Sequence, residues 1–570
     1  MKTFRVWAPH ATSVDLVLEN ESLPMERGEC GWWSVMASHA PAGSRYAFRV
    51  NGNGPFPDPR SPWQPDGVHA PSRVLDHEHF PREESSFTPP PLENALLYEL
   101  HMGTFTKEGT YAAAATHLKH LQELGVTHVE LLPIAAFPGT RGWGYDGVSL
   151  YAPYAPYGTP DELKEFIQAA HQMGIAVLLD VVYNHLGPDG NYLGQFGPYF
   201  TESVHTPWGS AVNLSEAHSN EVRRFFIDNA IMWLRDYRFD GLRLDAVHAM
   251  FDWGARHFLE ELAEAVDAFA HEYSRKVILI AESDLNNPRL VQSRDRGGYG
   301  LHAHWEDDFH HALHAVITGE RTGYYEDFGT LEQLAKALTQ GYVYDGNYSP
   351  HRKRNHGRPP HGVHPRQLIV FAQNHDQIGN RAQGERLSHL AGVAGAKAAA
   401  ALVLLSPFTP MLFQGEEWAA SSPFLYFSDH HDELGRQITI GRRKEFAAFK
   451  WKEDEIPDPQ AQETFERSKL NWDERTQRPH ADILEWHRTL VRLRRKHPAT
   501  HFRVELNEDL QCLILKRGNL LAAFNFSDSA QKLPAPAGNW RPILCSDQST
   551  AAIDAPLPAR ATRIFEQELH

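Results

Sequence analysis

Four apolar runs in this sequence end in groups able to move protons or meet charge. DVVYNH ends one with Asp180, Asn184 and His185, and GLRLDAVH ends the next with Arg243, Asp245 and His248. LIAESD ends a third with Glu282, and FAQNHDQIGN ends a fourth with His375 and Asp376. Cleavage of a glycosidic bond needs this equipment: a carboxyl that protonates the departing oxygen and an ionised carboxylate that meets positive charge at the anomeric carbon. Glu282 is expected to be the acid, with neighbouring negative charge favouring its protonated form, and Asp245 the ionised nucleophile. Arg243 stands two residues before Asp245, so strand alternation puts both on one face, where its permanent charge would orient the carboxylate. His185 and His375 can donate hydrogen bonds to sugar hydroxyls. Asp376 can bind the C2 and C3 hydroxyls of a distorted ring, a contact that lowers the barrier if it strengthens at the transition state.

Other polar residues have two readings. Tyr145, in GWGYDGVSLYAP, offers a flat apolar face to a sugar ring, or it is a core tyrosine; Trp143 is more ambiguous still. Glu416 and Glu417 in QGEEWAA would line an outer subsite if exposed, with no catalytic duty assigned. His310 and His314 in LHAHWEDDFHHALHA share one helical face beside Asp307 and Asp308, but a zinc site needs further ligands and HExxH is absent. Asn184 could help bind a structural calcium ion, but the loop from 186 to 220 is thin in carboxylates, so calcium is left unassigned. No metal and no cofactor is assigned.

The elements that must position these groups repeat in order: an apolar strand, a polar-ended loop, an amphipathic helix. LLYELHMGTF, HVELLPI, IAVLLDVVYNH, FDGLRLDAV, KVILIAESD, a segment near His304, LIVFAQNHD and PMLFQGEEW bring the strands to eight. Runs buried on both faces and separated by helices predict parallel strands, and eight of them favour a closed (β/α)8 TIM barrel over an open dinucleotide-binding sheet; no GxGxxG follows the first strand. The fold class is thus multidomain α/β, with the barrel at 89–500. Residues 1–88, in short alternating segments such as FRVWAP and SRYAFRV, predict an immunoglobulin-like β-sandwich, either a packing appendage or a carbohydrate-binding module with exposed aromatics. Residues 501–570 predict a second all-β domain. Within the barrel, residues 286–366 read as a long functional loop with only short ordered elements, flexible over YDGNYSPHRKRNHGRPPHGVHP.

Composition bounds the partners. With 570 residues and 42% hydrophobic content the chain can bury a large core. Its 72 acidic against 55 basic side chains, a formal charge of −17, disfavour nucleic acid and anionic membranes as partners. Cys30, Cys512 and Cys545 are too few and scattered for a disulfide framework, the N-terminus lacks a signal-peptide pattern, and the apolar run around AGAKAAAALVLLSPF is interrupted by Lys397. A cytoplasmic location and a neutral ligand are expected.

DVVYNH, GLRLDAVH, IAESD and QNHDQ together resemble the four strand-end motifs of the α-amylase family of glycoside hydrolases, and the similarity covers almost the whole chain. The resemblance implies a retaining double displacement with Asp245 as nucleophile, Glu282 as general acid/base and Asp376 as transition-state stabiliser. Arg243, His185, His375 and Tyr145 would form the donor-sugar subsite. YELHMGTFT, RGWGYDGVSLYAP, AESDLNNP, HWEDDFHHALHAVITGE and GEEWAASSPFLYFSDH are similar to a branch of that family acting on maltooligosyltrehalose. They imply hydrolysis of the α-1,4 bond next to its terminal trehalose, with a maltooligosyltrehalose synthase as pathway partner. The rival within the family is a 1,4-α-glucan branching enzyme. From another class, a silent glycogen-binding scaffold is disfavoured because all three acids are present.

Overall fold

Eight short apolar segments pair in parallel and close on themselves: β1 (Leu97–Leu100), β2 (His128–Leu131), β3 (Ala176–Val181), β4 (Gly241–Leu244), β5 (Ile278–Ala281), β6 (Ala303–Trp305), β7 (Leu368–Val370) and β8 (Thr409–Phe413). This computed structural model describes residues 2–80, 87–447, 456–533, 538–547, 549 and 552–568.

Strand alternation sorts the side chains into two cores. Leu97, Leu178, Ile278, Ile280, Trp305, Ile369 and Met411 fill the barrel interior. Tyr98, Val129, Leu179, Leu242, Leu279 and Leu412 face outward into the core shared with the helices. The same period of two carries Asp180, Arg243, Asp245 and Glu282 to the inner face at the carboxyl ends of β3, β4 and β5, with Asp180 beside Arg243 in register. Barrel chemistry is built at that end.

The surrounding helices form for local reasons as well as for burial. In α1 (Pro160–Gln172) the Thr159 side chain accepts from the Glu162 N–H while the Glu162 carboxylate accepts from the Thr159 N–H, and proline occupies the first turn. Its Leu163, Phe166, Ile167 and Ala170 turn inward. The shell continues with α2 (Ser219–Asp236), α3 (Asp307–Thr318), α4 (Leu331–Gln340), α5 (Leu387–Leu405) and α6 (His480–Lys496). Among the described residues α5 alone is long and apolar enough to cross a membrane, and it is half buried in the protein. Its Lys397 carbonyl accepts from the Trp486 indole of α6.

Residues 286–366 are more ordered than their polar composition suggests, because they hold β6, α3 and α4. The stretch expected to be flexible is pinned by buried or half-buried acids. Asp327 accepts from the Ser349 hydroxyl and, at 2.8 Å, from the His351 N–H. Arg352 pairs with Asp284 at 3.0 Å, and the His356 ring donates to the Asp284 carbonyl at 2.8 Å. The loop from 186 to 220 contains an antiparallel hairpin, Phe200–Thr206 with Gly209–Val212.

The N-terminal residues form two sheets. One joins Lys2–Trp7, Trp32–Ala37 and Glu26–Arg27; the other joins Ser22–Pro24, Val14–Leu18, Arg45–Val50 and Asn53–Phe56, with Ser72–Arg73 added beside Arg45–Val50. Several of their aromatics are spent on packing. Trp7 meets Tyr199 edge-on at 5.2 Å, Phe48 meets Phe196 at 6.4 Å and Phe56 meets Tyr192 at 5.4 Å, all in the loop after β3. Arg60 reaches Asp228 of α2 at 2.8 Å. The C-terminal residues form one antiparallel five-stranded sheet in the order Arg503–Asn507, Cys512–Arg517, Leu520–Asn525, Thr562–Gln567, Trp540–Cys545.

Candidate active site

Arg243 is fully buried inside the mouth of the barrel and holds three carboxylates. Its Nη1 lies 2.8 and 2.7 Å from the two oxygens of Asp180 and 2.9 Å from Asp245 Oδ1, while its Nη2 lies 3.0 Å from Glu282 Oε2. The guanidinium sits 4.3 Å from the centre of the Trp305 ring, so its charge is met by a π face as well as by the acids. Burial opposes the charge, but Asp180, Glu282, Tyr145 and Asp245 together drive the Arg243 pKa well above its ordinary value. Burial raises Asp180 to about 7 against the pull of Arg243.

The contacts leave specific oxygens free. Ala246, in the left-handed region at φ 37°, turns its N–H onto Glu282 Oε2 at 2.6 Å. An alanine in that region costs of order 1–2 kcal/mol, a local strain that aims a donor at this carboxylate. Both protein contacts to the Glu282 carboxyl fall on Oε2, and the one to Asp245 falls on Oδ1. Glu282 Oε1 and Asp245 Oδ2 are the atoms with no hydrogen bond among the described residues.

Tyr145 joins this centre to the end of β7. Its hydroxyl donates to Asp180 Oδ2 at 2.6 Å and accepts from His375 Nε2 at 2.8 Å, and the two rings stack at 5.1 Å. His375 Nδ1 donates to Glu99 Oε1 at 2.5 Å, and its backbone N–H donates to Glu99 Oε2 at 3.0 Å. Burial alone would lower the His375 pKa; the carboxylates of Asp376 and Glu99 overcome it and raise the ring to about 9. His375 is therefore an imidazolium at neutral pH. Asp376, on the next residue, lies 3.5 Å from Nε2 with a side chain 39% exposed, open to the cleft.

All seven residues expected in the site gather at this end of the barrel. His185 differs from the expectation in detail: its Nε2 donates to the Tyr145 carbonyl at 3.1 Å, and burial lowers its pKa so that the ring is neutral. The ring instead presents a face, stacked at 4.9 Å on Trp208, an indole 49% exposed at the tip of the 200–212 hairpin. Trp143 is a packing residue: its indole donates to the Leu425 carbonyl and stacks on Phe424.

Glu416 and Glu417 do not line the cleft. Both are buried, Glu417 between the Tyr98 hydroxyl and the His120 ring, because the turn after β8 folds back under the helices. The α3 histidines are likewise committed: His310 contacts the Ala372 carbonyl and the Tyr325 hydroxyl, and His314 contacts Glu320. Among the described residues no group of three or more His, Cys, Asp or Glu is arranged to hold a metal.

Several residues around this centre, Trp208 among them, carry no site role in the sequence motifs. Glu99 and Glu130 are acids in short buried strands, with the Glu130 carboxyl pushed well above its ordinary range by burial and by the charge of Glu99. Trp305 lies beneath Arg243, on a strand of three residues. Asp307, at the start of α3, is raised well above the carboxylate range by burial and by Glu282, Asp284 and Asp376.

Residues 85–206 match the alpha amylase catalytic domain, and residues 2–64 match carbohydrate-binding module 48, the isoamylase N-terminal domain. A malto-oligosyltrehalose trehalohydrolase from Arthrobacter ramosus is 51% identical, covering 87% of this chain and 88% of its own. One from Mycobacterium tuberculosis is 44% identical over 96% and 97%. The chain belongs to the malto-oligosyltrehalose trehalohydrolase branch of the α-amylase family. A crystal structure of a Salmonella typhimurium protein described as an alpha amylase shares the fold of this branch member at a TM-score of 0.90, with 37% identity over 99% and 97% of the two chains. The branching-enzyme alternative is more distant from the family: one from Corynebacterium jeikeium is 29% identical over 73% of this chain and 60% of its own.

Proposed function

We propose that this chain hydrolyses the α-1,4-glucosidic bond adjacent to the terminal trehalose unit of maltooligosyltrehalose, releasing trehalose and a maltooligosaccharide. The observation that carries the mechanism is the single guanidinium of Arg243 holding one oxygen of Asp245 and one of Glu282. Asp245 Oδ2 attacks the anomeric carbon while Glu282 Oε1, carrying the proton, gives it to the trehalose oxygen that leaves; a glycosyl-enzyme forms on Asp245. Glu282, now ionised, takes a proton from water, whose oxygen attacks the same carbon and restores both groups with net retention. Asp376 receives the sugar hydroxyls that shift as the ring flattens, and Tyr145, held between Asp180 and His375, offers its ring to the donor sugar. His185 and Trp208 form a stacked wall beside it.

A maltooligosyltrehalose synthase acts in the same pathway and supplies the substrate, in the cytoplasm, a setting that fits three unpaired thiols. The deciding experiment gives purified protein maltotriosyltrehalose and, separately, a linear α-1,4-glucan. Free trehalose is the expected product; α-1,6 branches without trehalose would select the branching reaction instead. Asp245→Ala and Glu282→Gln should each lose most of kcat, and full turnover in both would overturn the roles.

A further inference from the structure

The opposite end of the barrel holds a second cluster of charge. Arg494 and Arg495 of α6 and Arg517 of the C-terminal sheet line a cavity of about 520 Å³ bounded by the approaches to β1 and β8. That volume lies within the range of small-molecule sites. Among the described residues Glu93 is the one carboxylate lining it, and it is paired at 2.8 Å with Arg366, a further arginine of the lining.

The three guanidiniums meet carbonyls rather than carboxylates. Arg494 donates to Leu404, Ser406 and Phe408, Arg517 to His497, Leu405 and Ser406, and Arg495 to Gly125. The carbonyls of Leu404, Leu405 and Ser406 stand at the C-terminal end of α5, whose dipole supplies about half a negative charge against three full positive ones. Burial and then the charge of Arg517 lower Arg494 to about 9, and burial lowers Arg517 to about 10. Arg517 is 4% exposed, and its Nη2 has no acceptor among the described residues.

We propose that this cavity is a binding site for a small phosphorylated metabolite. A phosphate dianion offers three oxygens to the guanidinium N–H groups that those carbonyls leave over, Arg517 Nη2 among them, a match that a single carboxylate cannot give to three arginines. Leu96, Val491, Pro407 and Pro498 supply an apolar wall for a carbon skeleton. Extended polyanions do not suit a bounded cavity on a chain of net charge −17. Because the cavity joins the barrel, α6 and the C-terminal sheet, an occupant ties these parts together and raises the unfolding temperature.

The test titrates the full-length protein with inorganic phosphate, glucose 6-phosphate and ATP at ionic strength fixed with sodium chloride, reading calorimetric binding and Tm. One-site saturation with Kd below about 1 mM is expected for at least one probe. Equal affinity for all three identifies bare phosphate as the recognised group, while preference for the sugar phosphate or the nucleotide identifies its carrier. Arg517→Gln should weaken binding at least tenfold. Arg495→Gln, at a surface position, should weaken it at least fivefold with trehalose release unchanged, and it serves alone if Arg517→Gln does not fold. Absence of saturable binding by all three probes, or affinity unchanged in Arg495→Gln, would overturn the proposal.

Discussion

Glu99 and Asp376 flank His375 from its two nitrogens, and the charge they impose on the ring has a testable pH signature. The raised pKa means that the imidazolium persists through neutrality and is lost as pH rises through about 9. Any activity that needs both ring N–H groups as donors must fall over that interval, and the stabilisation from the Glu99 pair, complete below the unfolded histidine value near 6.5, disappears with it. Glu99→Gln removes one of the two carboxylates, so the alkaline limb of kcat/KM for maltotriosyltrehalose should move toward acid by about one unit or more. An unmoved limb would dissociate His375 from it. Asp180→Asn releases the other side of Arg243. With the guanidinium free to shift relative to Asp245 and Glu282, kcat should fall on the order of 10²-fold while KM changes little. At this scale the sequence is informative where polar residues end apolar runs, as Asp245 and Glu282 do. It is silent about Glu99, whose partner lies 276 residues away and whose own neighbours look like any buried strand.

The hairpin after β3 and the cap of α1 carry separable functions. Trp208→Ala removes a stacking surface that touches no reacting atom, so steady-state kinetics should show KM raised about fivefold to tenfold with kcat near the parent value, in line with about 1 kcal/mol for an aromatic contact. A fall in kcat alone would assign Trp208 to something other than binding. Thr159→Ala breaks the reciprocal cap of α1 and should cost about 1 kcal/mol in urea unfolding with kcat unchanged. Seven barrel strands were legible as apolar runs. The eighth, β6, is too short at three residues to stand out as an apolar run, and the order of residues 286–366 is hidden because it comes from acids such as Asp308, which accepts the Val343 and Tyr344 N–H groups at 2.8 and 2.7 Å. Sequence spacing shows no such long-range anchor, so the region read as loop.

Across the whole molecule, the N-terminal sheets and the candidate active site meet through the loop after β3. Phe196 is 2% exposed, packed against Phe48 and Phe56, and stands four residues before the hairpin strand begins at Phe200. Phe196→Ala should therefore both lower stability by about 3–5 kcal/mol, the cost of an aromatic cavity, and reproduce part of the KM increase of Trp208→Ala. If stability drops with KM unaltered, the seam is structural only. The sequence revealed that a β domain precedes the barrel; it left open whether that domain's aromatics face sugar or protein, since Trp7, Phe48 and Phe56 satisfy either pattern until their partners are known. Their placement has a consequence for engineering. Exchanging the first 80 residues for those of another branch member would alter more than glucan adsorption: by resetting the footing on which Trp208 stands, a chimera should change the ranking of short against long oligomers, readable as trehalose yield from a mixed-length pool.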